Sequence, residues 1–288
     1  MKSRELQRVI EGVPTSDGAG VKLRRSLGSV RGLYLDPFLM LDEFSSDDAA
    51  DYVAGFPSHP HRGFETVTYM LDGHMRHEDH LGNRGELTSG GVQWMSAGRG
   101  IIHSEMPQQD HGRMRGFQLW VNLPRREKMK PAKYRDIAPQ EIPVIEIPGG
   151  GRVKVIAGAV TVDGRRIDGP IQGLTTDPTY LDVELAPGGA FRHALPKSYT
   201  AFVYAFEGSV EIGPESRGAA LETHRAGVTS AGEEIELRGG ERGGRALLIA
   251  GRPLNEPVVQ YGPFVMNTRE EVEQAVRDYR SGELTQGV

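Results

Sequence analysis

Two short stretches carry side chains that can hold a metal ion: His59-Pro60-His61 and His103-Ser104-Glu105. Each sets two metal-capable groups two residues apart. In a β-strand, residues i and i+2 leave on the same face, roughly 6.5 Å apart along the chain. Two adjacent strands presenting such pairs to one cavity would close three imidazoles and one carboxylate around a single ion. Nitrogen and oxygen donors of this kind suit Fe(II), Mn, Co, Ni, Cu or Zn. The chain has no cysteine, so thiolate ligands and disulfides are excluded. On an octahedral ion, four protein ligands leave two positions open, where a substrate and a small molecule such as O2 would sit side by side. The competing reading is a closed site that only stabilises the fold, but closed zinc sites favour thiolates.

Seven of the nine histidines lie between His59 and His111, where uniform scatter would place about two, so clustering supports a site without choosing its members. Pro57 and Pro60 stiffen the approach to the first pair, and Gly63 lets another backbone pass close by. Glu65 competes with Glu105 for the carboxylate role, but Gly63 interrupts the register between His61 and Glu65, which ranks it second. His74, His77 and His80 stand with Glu78 and Asp79 around a hairpin and read as a surface-exposed turn. The other reading puts His77 or Asp79 at the cavity mouth, handling protons. His111 reads as a loop residue. His193 and His224 have no second ligand two residues away, so the second half reads as metal-free. Trp94, Met95, Phe117, Gln118 and Trp120 read singly as core and together as the lining of a pocket for an aromatic substrate.

The elements that must position these residues are strands. Almost every apolar run is cut by Gly or Pro within about ten residues, the rhythm of an all-β sandwich or barrel. Phe64 to Leu71 alternates and is rich in β-branched and aromatic residues, and Asp72-Gly73 turns the chain after it. Met75 to His80, Val92 to Met95, Ile101 to Glu105 and Gly116 to Leu123 follow as strands. Residues 5–35 read as edge strands leading into the first barrel. Pro124 to Pro143 is charged and proline-rich, and its cluster Arg125-Arg126-Glu127-Lys128-Met129-Lys130 reads as a solvated linker. A second series of β-like segments follows and repeats the rhythm of the first. This gives a metal-binding domain over 1–130, a linker over 131–150 and a second domain over 151–288. Thr268-Arg269-Glu270-Glu271 is a capping box, and Gly282 marks the end of a helix.

Net charge is −5, and no basic stripe is long enough to follow a phosphate backbone, which argues against nucleic acid as a partner. No segment has the length of a membrane span or a signal peptide, so a cytoplasmic protein with no membrane partner is expected.

His59-x-His61-x-x-x-Glu65, followed by Gly73, resembles the first cupin motif, and Gly100-Ile101-Ile102-His103 resembles the core of the second. Pro60 to Val67, Gln93 to Met106, Gln118 to Pro124 and Tyr261 to Asn267 are more specific and resemble the pirin family over nearly the whole chain. That resemblance implies a bicupin: two face-to-face antiparallel β-barrels, the N-terminal one metal-bearing. It places the metal ligands on His59, His61, His103 and Glu105, whereas the general cupin pattern would use Glu65. It implies iron as the usual metal, Fe(II) here. Some members resemble quercetin 2,3-dioxygenases, which cleave a flavonol with O2; Glu105 would then also serve as the catalytic base. Eukaryotic members act as transcription coregulators, and other bacterial members modulate metabolic enzymes by binding them. A metal- or redox-sensitive regulatory protein with a protein partner is therefore the second expectation.

Overall fold

The β-branched, alternating segments of the first half form strands: Phe64–Asp72, His74–Asp79, Val92–Ser96, Ile101–Pro107 and Met114–Asn122. The structure is a computed structural model that describes residues 2–286. These strands divide between two antiparallel sheets. The larger runs in the order Lys133–Ile137, Val92–Ser96, Phe64–Asp72, Met114–Asn122, Phe38–Ser46, Val21–Arg25 and Val13–Asp17. The smaller runs Phe56–His61, Ile101–Pro107, His74–Asp79 and Arg84–Thr88. Their inner faces share a core in which Leu23, Phe44, Met70 and Met114 of the larger sheet meet Met75 and Leu87 of the smaller. Burying each such side chain contributes roughly 1.5–3 kcal/mol.

Only Arg62 and Gly63 separate Phe56–His61 from Phe64–Asp72, yet the two strands belong to different sheets. The corner depends on Gly63, at φ +90°, where a Cβ atom would stand 2.0 Å from the Val265 carbonyl oxygen. Only glycine allows that turn with a second backbone laid against it. Because the chain changes sheet at this corner, hydrogen bonding does not run around the unit. The sheets are open, with edges at Val13–Asp17 and Lys133–Ile137, so the antiparallel cupin fold expected from the sequence is present as open sheets.

The backbone against Gly63 comes from the far end of the chain. The hairpin of Val259–Tyr261 and Phe264–Met266 leads into the helix Arg269–Ser281. Thr268 caps that helix by accepting from the Glu271 amide, Glu271 completes the capping box, and Gly282 closes it in the left-handed conformation. Val265 N–H donates to the Arg62 carbonyl at 3.0 Å, and Arg62 forms an ion pair with Asp278 at 2.6 Å. Lys128, part of the run expected to be solvated, is buried. Its ammonium donates to the carbonyls of Gly63 and Val265 and to Asn122 Oδ1 at 2.7, 2.9 and 2.6 Å. Three convergent acceptors are what make burial of that charge tolerable.

The chain thus forms one unit of Val13–Pro139 with Leu254–Val288, and another of Met1–Gly12 with Gln140–Pro253. The second unit is built on a nine-stranded antiparallel sheet, in which the long strand Glu234–Gly251 pairs with Thr179–Leu185, Ala190–Ala194 and Thr200–Ile212. Its core is aliphatic, with Val153, Leu181, Val203, Leu237 and Leu248 fully buried. Two features differ from the boundaries set out above. Leu6–Glu11 pairs with Arg225–Thr229 and belongs to the second unit, whereas Val13–Asp17 and Val21–Arg25 form the expected edge of the first sheet. The stretch 131–150 carries strands of its own: Lys133–Ile137 on Val92–Ser96, and Val144–Glu146 on Gly151–Ala157. No helix among the described residues is long and apolar enough to cross a membrane.

Replacing Gly63 by alanine forces a side chain into the left-handed region and into the Val265 carbonyl. Gly63→Ala is expected to lower the unfolding free energy by roughly 2 kcal/mol or more, read from the midpoint of urea unfolding. An unchanged midpoint would show that the corner has room to relax.

Candidate metal centre

The two pairs that opened the sequence reading come from neighbouring strands of the smaller sheet. In the antiparallel register His103 lies directly opposite His59, and Ile101 opposite His61. Side-chain alternation then places His59, His61 and His103 on one face. Their ligand atoms all lie within 4.8 Å of one another. Ring centroids are 4.3 Å apart for His59 and His103, 4.7 Å for His59 and His61, and 5.0 Å for His61 and His103.

The hydrogen bonding of these rings fits a bound cation. His59 Nδ1 lies 2.8 Å from the Pro57 carbonyl, so it carries the proton and leaves Nε2 bare. His61 Nδ1 and His103 Nε2 are buried without a hydrogen-bond partner. Such orphaned atoms each cost about 1–3 kcal/mol unless something occupies them. Burial above all, helped by the neighbouring His59, drives the His61 imidazole well below its ordinary pKa, against a smaller opposing pull from the Pro263 carbonyl. His103 is driven down in the same way, by burial first and then by His61, His59 and His77. Both rings are therefore neutral at ordinary pH, with lone pairs free to coordinate.

Glu105 lies buried on the same strand as His103. The register on Phe56–His61 shifts between His103 and Glu105, which sets Glu105 opposite Phe56 on one side and opposite His77 on the other. Its carboxylate accepts from Thr68 Oγ1 at 3.0 Å and from Gln118 Nε2 at 3.1 Å, both on the larger sheet. Among the described residues, the cluster of closely spaced ligand atoms comprises the three imidazoles. Glu65 is buried apart from them, accepting from Trp94 Nε1 at 3.2 Å.

A cavity of about 570 Å³ opens onto His59 and His61. Leu39, Met40, Phe56 and Trp120 supply its apolar wall, and Gln118 and Arg25 its polar groups. Arg25 is held by Asp42 through two bonds of 2.8 and 2.7 Å. The Trp120 ring stands edge-on to His61, with centroids 5.3 Å apart. Of the aromatic and polar residues proposed as a lining, Gln118 and Trp120 reach this cavity. Trp94 is turned to Glu65, Met95 packs with Ala97 and Ile101, and Phe117 lies against Tyr69.

The remaining histidines separate clearly. His111 is exposed and bonded to Asp110, and His74 is bonded to Glu86. His77, assigned above to a surface turn, is instead buried, with Nδ1 3.3 Å from His103 Nδ1. The alternation of Met75, His77 and Asp79 along one strand is the signal that would have turned it inward. Leu39, Met40, Gln260 and Pro263 also line the cavity, although the sequence reading places none of them there.

Comparison with known proteins agrees with this architecture. The pirin family model matches residues 20–121, and the model of the pirin C-terminal cupin domain matches residues 180–285. A Pseudomonas aeruginosa protein, provisionally named a quercetin 2,3-dioxygenase, is 54% identical over 281 residues, covering 98% of each chain. Human pirin is 42% identical over 269 residues, covering 92% of this chain and 89% of that one. A crystal structure of quercetin 2,3-dioxygenase from Acinetobacter baumannii superposes with a TM-score of 0.87 at 32% identity, covering 98% of this chain and 99% of that one. The chain belongs to the pirin family, and its fold is that of a bicupin.

Proposed function

We propose that this chain is a metal-dependent dioxygenase of the quercetinase type, in a cytoplasmic setting, with His59, His61, His103 and Glu105 as metal ligands and Fe(II) as the metal. The observation that carries the proposal is a cluster of three imidazoles, two of which, His59 and His61, line a cavity of about 570 Å³ with an apolar wall, a size suited to a small aromatic molecule. Relatives named for quercetin dioxygenation point to a flavonol as that molecule. When bound, the metal would supply Lewis acidity and one-electron chemistry, through which O2 can react with a singlet organic substrate.

The protein groups have separate tasks. Leu39, Met40, Phe56 and Trp120 take up the flat ring system and exclude water from it. Gln118 faces the cavity and also donates to Glu105, linking the state of that carboxylate to whatever occupies the cavity. Glu105 accepts the proton of the flavonol hydroxyl as general base, and its hydrogen bonds from Thr68 and Gln118 keep it aimed. Glu65 plays no part. Burial pushes its pKa up to about 7, against the hydrogen bonds from Trp94 and Ser96, which pull it down.

Wild type is expected to copurify with or take up iron, and His61→Ala to lose it, as measured by elemental analysis. The loaded wild type should consume quercetin aerobically with release of carbon monoxide and do neither without O2. Metal uptake with no flavonol turnover would leave a binding or regulatory role in place of the enzyme.

The two glutamates should respond oppositely to amidation. Glu105→Gln is expected to lower kcat at least 100-fold, whereas Glu65→Gln leaves turnover near wild type. The raised pKa of Glu65 means that the folded state holds its proton where the unfolded chain has lost it. Stability from this group is therefore lost as pH rises from about 4.5 to about 7. Glu65→Gln should remove that loss and gain on the order of a few kcal/mol at pH 8, read by urea unfolding against pH.

A further inference from the structure

We propose that Asp79, acting through His77, fixes the tautomer of His103 and so presents the bare Nε2 of His103 to the metal centre. The inference rests on the reading of His103 as a metal ligand. His77 is not a catalytic residue here; it is a positioning residue.

The assignment follows from which atoms can donate. His77 Nδ1 and His103 Nδ1 lie 3.3 Å apart, so one must carry a proton and the other a lone pair. Distance alone does not choose between them, but Asp79 does. Its carboxylate can only accept, and the loop that follows holds it in place. Oδ1 takes the amides of Leu81 and Asn83 at 2.9 and 3.1 Å, and Oδ2 takes Asn83 Nδ2 at 2.8 Å. The same Oδ2 stands 3.5 Å from His77 Nε2, with both side chains fully buried. That nitrogen is buried without a hydrogen-bond partner among the described residues, so the carboxylate is an electrostatic neighbour at contact distance; a lone pair there would face its negative charge, which places the proton of His77 on Nε2.

His77 Nδ1 is then a bare acceptor, and His103 must donate to it from its own Nδ1. This leaves His103 Nε2 unprotonated, and it is that atom which is buried without a partner beside His59 and His61. The reverse assignment would bury an N–H where a lone pair is needed and set another lone pair against the Asp79 carboxylate. His77 is kept in register by stacking on Tyr134, with centroids 4.3 Å apart. The Tyr134 hydroxyl is itself anchored, donating to Asp136 at 2.5 Å and accepting from Gln93 Nε2 at 2.8 Å. Partners of this kind around ligating histidines typically change metal affinity about 10–100-fold.

The test begins with the metal-free, ¹⁵N-histidine-labelled protein. Long-range ¹H–¹⁵N spectra should show His103 protonated at Nδ1 and His77 at Nε2, before any metal is added. Zinc(II) affinity is then measured by competition with a chromophoric chelator. His77→Phe keeps a ring against Tyr134 but removes the acceptor, and should weaken zinc binding about 10–100-fold. His77→Gln restores an acceptor for His103 and should bind closer to wild type than the phenylalanine variant does. A metal-free His77 protonated at Nδ1, or equal affinities for wild type and His77→Phe, would overturn the proposal. If a variant does not fold, the tautomers of the wild type still decide. A wild type that binds neither zinc(II) nor iron(II) would refute the metal centre itself, and the tautomer pattern would judge the Asp79–His77–His103 link independently.

Discussion

The antiparallel register that sets His103 against His59 is the constraint on which the site depends. Side-chain direction in a strand alternates with a period of two, so a slip of one residue would turn His59, His61 and His103 together to the opposite face. Much of the surrounding structure serves to prevent that slip. Ile101–Pro107 is held on both sides, by Phe56–His61 and by His74–Asp79. The irregularity between His103 and Glu105 falls within this doubly paired segment, so the glutamate can depart from the strict register while the histidines keep theirs. Burial then completes the arrangement: the buried rings of His61 and His103, held well below their ordinary pKa, retain lone pairs in need of an acceptor of electron density.

A second constraint is backbone approach. The corner at Gly63 admits the Val265 segment, and Lys128 binds the two main chains together by donating to the carbonyls of both. Arg62, next to His61 of the cluster, is tied to Asp278 on the C-terminal helix. The histidine pair at 59–61 is therefore braced from outside its own sheet by residues about two hundred positions away. Pro263 and Gln260, from the same distant segment, line the cavity.

Much of this was legible in the sequence because it is local. Two-residue spacing identified the histidine pairs, a glycine at 63 implied close backbone passage, and the Thr268–Glu271 box with Gly282 delimited the helix. What was hidden depends chiefly on long-range pairing. Lys128 sits in a charged run indistinguishable from a solvated one until the carbonyls of Gly63 and Val265, from distant segments, converge on it beside the Asn122 side chain. His77 reads as hairpin surface because the histidines and acids around it are polar; the alternation of Met75, His77 and Asp79 points inward, and the pairing of its strand with Ile101–Pro107 holds it there. The exchange of termini, Leu6–Glu11 to one unit and residues 254–286 to the other, is likewise invisible to composition.

That exchange bears on how the chain is made. Synthesis proceeds from the N-terminus, and the unit containing Met1–Gly12 and Gln140–Pro253 has all its parts once residue 253 has left the ribosome. The unit that carries the histidine cluster starts earlier, at Val13, but lacks its closing segment until residues 254–286 emerge. The order of completion is thus the reverse of the order in the chain. Until that segment is made, the three histidines stand on strands whose Gly63 corner has nothing to close against, so the cluster is set in place only after residues 254–286 have been added.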